Sequence, residues 1–105
     1  MTMNIGDNVT AASNTTITIK CPVSGVPTPS VTWTKNGVHI DSVKALSITA
    51  DNSLVLKGTK IEDGGKYTCS AQSKFGKDDI SSVVRIIGKF PFNFSPNLQI
   101  MVNIV

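Results

Sequence analysis

Apolar residues in this chain recur at every second position, and nowhere at the three-and-four spacing over a dozen positions that a helix needs. That regularity restricts the chain to strands. Ile17, Ile19 and Cys21 alternate with Thr16, Thr18 and Lys20. Val31 and Trp33 alternate with Thr32 and Thr34, and Leu54 and Leu56 flank Val55. Tyr67, Cys69 and Ala71 repeat the pattern around Thr68, Ser70 and Gln72, as do Val84 and Ile86 around Arg85. Each run reads as a strand with one buried face. Between the runs lies turn chemistry: Gly25 with Pro27 and Pro29, Asn36-Gly37, Asp51-Asn52, Gly64-Gly65 and Phe75-Gly76-Lys77. Asn-Gly is the strongest of these, since both residues tolerate the positive φ of a type I′ hairpin turn. Short strands at regular intervals predict an all-β fold, either a two-sheet sandwich or a small barrel.

A length of 105 residues holds one core. With 40% hydrophobic and 16% charged residues the composition is that of a globular chain, not a disordered one. No run approaches the roughly 20 apolar residues that span a bilayer, so no membrane insertion is expected. The opening Met1-Thr2-Met3-Asn4 lacks the basic start and apolar run of a secretory signal. The net charge of +3 comes from basic residues scattered between Lys20 and Lys89, where a nucleic-acid binder would cluster them.

Cys21 and Cys69 fall at inward positions of different strands, which suits either two buried thiols or a bond between sheets. Trp33 is inward on a third strand, and Asp63-Gly64-Gly65-Lys66-Tyr67-Thr68-Cys69 leads into the second cysteine. With Cys21-Pro22-Val23-Ser24-Gly25-Val26-Pro27-Thr28-Pro29, Val31 to Gly37, Ser53 to Leu56 and Ala71 to Gly76, these features resemble immunoglobulin domains of the intermediate set. The resemblance covers residues 5–88. The run from Cys21 to Gly37 is similar to immunoglobulin repeats of ADAMTS-like and papilin-type matrix glycoproteins. Two positions depart from the family: Thr59 stands where an apolar residue is usual, and Ser73 where Asn is common.

The resemblance implies a two-sheet antiparallel Greek-key sandwich over residues 1–88, with one disulfide, Cys21 to Cys69, joining strands B and F. It assigns Trp33 to pack on that bond and Tyr67 to form a corner hydrogen bond. Asp63 begins the turn, Gly65 permits a tight backbone path, and Leu54 and Leu56 complete the core. Closing a loop of about 49 residues would contribute about 4 kcal/mol in the chain-entropy description. Such a bond persists in an oxidising compartment, so an extracellular setting is expected. Sarcomere proteins that resemble this family work in the cytosol and form the contrary reading. Asn8-Val9-Thr10 and Asn14-Thr15-Thr16 are N-glycosylation acceptor patterns; Pro96 spoils a third at Asn93.

Chemistry is sparse. His39, the one histidine, follows the hairpin turn and reads as an exposed edge residue; Asp41 nearby brings no nucleophile. Two bonded cysteines and one histidine leave too few ligands for zinc. Asp78-Asp79 reads as the solvated end of the loop between strands F and G. No glycine pattern cradles phosphate. The expectation is therefore no enzyme, no metal and no cofactor.

Binding surface remains. The outward positions of strands C, F and G include Thr32, Thr34, Thr68, Ser70, Gln72, Val83, Arg85 and Ile87, a nearly uncharged face with a small apolar edge. The loop Ser73-Lys74-Phe75-Gly76-Lys77 sets an aromatic between two lysines. Phe75 either anchors a contact, with Lys74 and Lys77 steering acidic partners such as sulfated glycans, or folds back over the core. Lys20 and Lys57 suggest a second basic spot on the other sheet. The tail 89–105, uncharged from Phe90 onward and rich in Phe, lies outside the pattern and reads as an appendage, the start of another domain, or an added strand. The whole reads as a non-catalytic spacer and protein-binding module of a matrix or cell-surface protein, monomeric by itself. A homophilic adhesion or receptor ectodomain and a cytosolic muscle-type module are the alternatives.

Overall fold

The computed structural model describes residues 1–40 and 46–88; Asp41 and the tail 89–105 lie outside the described residues. The alternation folds as β1 (Thr2–Asn4), β2 (Val9–Ala12), β3 (Ile17–Lys20), β4 (Ser30–Lys35), β5 (Val38–Ile40), β6 (Leu46–Ile48), β7 (Leu54–Leu56), β8 (Gly65–Ser73) and β9 (Gly76–Ile87). A 3-10 turn at Ile61–Asp63 precedes β8. Two sheets form, in the orders β1-β3-β7-β6 and β2-β9-β8-β4-β5. The chain crosses between them after β1, β2, β3, β5 and β7, as a sandwich with an all-inward core requires.

Inward parity becomes burial. Ile17, Ile19, Trp33, Leu54, Leu56, Tyr67, Cys69, Val84 and Ile86 are all buried in one cluster, with Cys21 and Ala11. Each large side chain there gains about 1.5–3 kcal/mol from leaving water, against the entropy cost of ordering the strands. Cys21 and Cys69 are bonded across the sheets, with their Cα atoms 6.5 Å apart. Trp33 pairs with Cys69 across the β4–β8 ladder, and its indole N–H donates to the Asn52 carbonyl at 3.0 Å. Tyr67 donates its phenol to the Asp63 carbonyl at 2.5 Å, closing the expected corner. Thr59, where an apolar residue is usual, is fully buried as well. Its hydroxyl accepts from the Thr15 N–H at 3.1 Å, so the polar group is satisfied rather than stranded.

Turn residues act as their chemistry dictates. Asn36 and Gly37 have φ of 51° and 83° and join β4 to β5 in a two-residue loop. Asn36 also accepts from the Lys66 N–H through its side chain at 2.9 Å, which pins the start of β8. A Cβ on Gly65 would lie 2.9 Å from that Asn36 amide, so a larger residue there must push the Asn36 side chain aside.

Four details differ from the sequence expectations. The central strands pair antiparallel, but β1 runs parallel to β3 and β2 parallel to β9. Side-chain parity is the same in either direction, so alternation carries no information on this point. Asp78 and Asp79 are not in a loop: they sit inside β9, paired with Ala71 and Ser70 of β8. The loop itself is only Lys74-Phe75, because Ser73 pairs with Gly76, and Lys77 already lies on the strand. Finally, Ile17 pairs with Leu56 and Ile19 with Leu54, so Lys20 and Lys57 fall at opposite ends of the strand pair. About 13 Å separates them along the strands, and they form no common spot.

The Met1 ammonium donates to the Thr16 carbonyl and the Ser13 N–H to the Ile87 carbonyl. Both ends of the described sandwich therefore meet at the pole made by the turn between β2 and β3. The opposite pole carries the Pro22–Pro29 loop and the β8–β9 hairpin tip.

Candidate functional site

At that far pole the β8–β9 hairpin ends in Lys74 and Phe75. A two-residue tip leaves its side chains no core to reach, and Phe75 is 77% exposed, so it does not fold back. The Lys74 ammonium lies 5.2 Å from the ring centroid, a cation–π contact that covers one face of the ring. Ser73 accepts the Phe75 N–H at 3.1 Å and stiffens the tip. At the same pole, Val26 in the proline-rich loop is 95% exposed. A crevice of about 380 Å³ runs between the two loops, lined by Val23, Pro29, Ala71, Phe75, Lys77 and Asp78 among others.

Along the sandwich from the tip, a second crevice of about 420 Å³ opens at the seam of the two sheets. Ile5, Pro22, Val23, Ala71 and Ile80 give it apolar walls, the disulfide sulfurs' residues form its floor, and Asp78 and Asp79 border it. Val23, Ala71 and Asp78 line both crevices, so they form one continuous groove.

The outward face of the second sheet carries the residues that the sequence placed there. Thr32, Gln72, Val83, Arg85 and Ile87 are exposed; Thr34, Thr68 and Ser70 are half-buried by their neighbours. The register sets Thr34 beside Thr68 and Thr32 beside Ser70, while the Thr68 and Ser81 hydroxyls share a hydrogen bond of 2.8 Å. Arg85 pairs with Thr10 and Ile87 with Ala12. This face is flat and hydroxyl-rich. Val83, Arg85 and Ile87 lie toward the end of β9 away from the Lys74–Phe75 tip, whereas Gln72 pairs with Lys77 and carries the face up to it.

His39 is exposed on β5, the edge strand, opposite Thr34. Among the described residues no three His, Cys, Asp or Glu side chains converge as a metal site would require. Asn8 and Asn14 are both exposed. Asn8 accepts from the Val83 N–H at 2.9 Å through its side chain, and Asn14 sits at a turn with φ of 64°. Two groups have shifted acidities. A Thr49 hydroxyl bond, then bonds from Ser53, hold Asp51 below the usual carboxylate value. Burial, with the Asp63 carboxylate second, pushes the Tyr67 phenol well above its ordinary value.

The seam groove was not visible in the sequence. Its one trace is Lys77-Asp78-Asp79, a charged run at the head of a strand whose later residues alternate cleanly.

Residues 1–86 match the family model for the immunoglobulin I-set domain. Human ADAMTS-like protein 3 is 36% identical over 83 residues, covering 79% of this chain and 5% of that protein. The titin homolog of Caenorhabditis elegans is 38% identical over 81 residues, covering 73% of this chain and well under a hundredth of that protein. Among solved structures, the titin M10 complex with an obscurin-like 1 immunoglobulin domain superposes with a TM-score of 0.75 at 28% identity, over 82% of this chain and 91% of that one. The chain thus spans less than a tenth of the length of these curated relatives.

Proposed function

The chain belongs to the immunoglobulin I-set family, and we propose that it serves as a non-catalytic spacer and protein-binding module of an extracellular matrix or cell-surface protein. The observation that carries this reading is the bonded pair Cys21–Cys69, 4% and 1% exposed beneath both sheets. A bond at the centre of the core suits an oxidising compartment. Likeness to ADAMTS-like protein 3 supports the same setting. The exposed side chains of Phe75 and Val26, carried by two loops at one pole of the sandwich, support contact with another protein. The Lys74 and Lys77 charges suit sulfated glycans less well, because Asp78 and Asp79 follow on the same strand and offset them.

The likeness to the titin homolog favours a second reading, a cytosolic structural module. Thiol counting on the protein isolated from its native source under alkylating conditions separates the two. Absence of free thiol is expected for the extracellular role, and two free thiols would overturn it.

A further inference from the structure

β9 is twelve residues long, yet β2 pairs only with its last part, from Val84 to Ile87. From Gly76 to Val83 it has β8 on one side and no strand on the other among the described residues. The Val83 N–H points off this edge, to Asn8. In an antiparallel ladder alternate residues point the same way. Lys77, Asp79 and Ser81 therefore direct their backbone groups off the edge as well.

The side chains show the same gap. Asp78, Ile80, Ser82, Val84 and Ile86 share the inward parity of β9. Ser82 and Val84 are 1% exposed, whereas Ile80 is 45% exposed and Asp78 is open too. Inward positions that remain in water mark a missing cover. What lies beneath them is the apolar groove of Ile5, Pro22, Val23 and Ala71.

We propose that the upper edge of β9, residues Lys77–Ser81, receives an extended segment of another protein as an added strand. Its alternate apolar side chains enter the seam groove, and a Lys or Arg meets Asp78 and Asp79. Backbone pairing supplies affinity in such an addition, and the pockets for alternate side chains supply selection. The two carboxylates choose the charge. Asp78 accepts the Asp79 N–H at 3.0 Å, so a bare edge is shielded by its own acid, as exposed edges commonly are. A basic side chain opposite draws that carboxylate away and frees the donor, while an acidic segment is repelled. The proposal specifies the partner of the protein-binding role given above. Its test reads the edge directly, whichever compartment the thiol count returns.

The probe is a capped nonapeptide of alternating valine and lysine, titrated into the full 105-residue chain and followed by amide NMR. Saturable shifts confined to Lys77–Ser81, Ile5 and Val23 are expected. D78K/D79K should weaken binding by about tenfold, and should instead bind the alternating valine–glutamate peptide at the same edge. Shifts centred on β5, or none, would overturn the proposal. So would slow hydrogen exchange of the Lys77 and Ser81 amides in the free protein. Protection in dilute solution would show that the chain covers its own edge, and protection only at high concentration that a second copy does.

Discussion

Replacing Tyr67 by Phe should invert the stability order of the two proteins between neutral and strongly alkaline solution. At pH 7 the variant loses the bond from the phenol to the Asp63 carbonyl and leaves that carbonyl without its donor. The cost is about 1–2 kcal/mol, or about 4–8 °C in Tm per kcal/mol for a domain of this size. The phenol's acidity is depressed in the fold, chiefly by burial and secondarily by the Asp63 carboxylate, so its pKa lies above the unfolded value. A raised folded pKa contributes stability that is intact below the unfolded value of about 10 and is lost as pH rises above it. Each pH unit beyond that point removes about 1.4 kcal/mol from the wild type and nothing from Tyr67→Phe. The two stabilities should therefore cross near about pH 11. Urea titrations of both proteins from pH 7 to 12 give the difference, in which the lysines cancel. The chain has one tyrosine, so absorbance at the tyrosinate band follows this phenol alone. Ionisation of Tyr67 in its ordinary range while the chain is still folded would refute the reasoning, as would equal stabilities at pH 7.

Gly65→Ala should destabilise by about 1–3 kcal/mol through the contact with the Asn36 amide; pairing it with Asn36→Gly should recover part of the loss, so a double-mutant cycle in urea will show coupling. Thr59→Val keeps the shape but strands the Thr15 N–H, and thermal melts should show a loss of about 1–2 kcal/mol despite the more apolar side chain. Asp51 has a lowered pKa, so its contribution is present above the unfolded carboxylate range and fades as acid drives pH below about 4. Asp51→Asn should therefore be less stable than wild type at neutral pH and equal to it in strong acid, as followed by circular dichroism.

The core was legible because it depends on parity alone. The inward residues named from Ile17 to Ile86 on the alternating runs lie in or against the core, except Ala71, which is half-buried and lines the groove; Asn36-Gly37 turns where its tolerance of positive φ says it should. Legibility failed where parity is silent. β1 and β2 are three and four residues long, and their direction is set by partners far along the chain. The head of β9 failed differently. Lys77-Asp78-Asp79 shows no alternation, because the face that would be buried is uncovered, and the strand is held there by its ladder with β8. A charged run thus marks a bare edge, although by its composition it reads as a loop. Asn36 against Gly65 is a third kind of case, a contact between a turn and the start of a distant strand that neither signals by itself.

The single indole of this chain pairs across its ladder with one of the two bridged cysteines. A sulfur–sulfur bond accepts an electron readily from an excited indole at such range. The folded protein should be nearly dark in fluorescence and should brighten when the bridge is reduced or the sheets separate. The core therefore carries its own optical gauge of redox state and folding, read without any label.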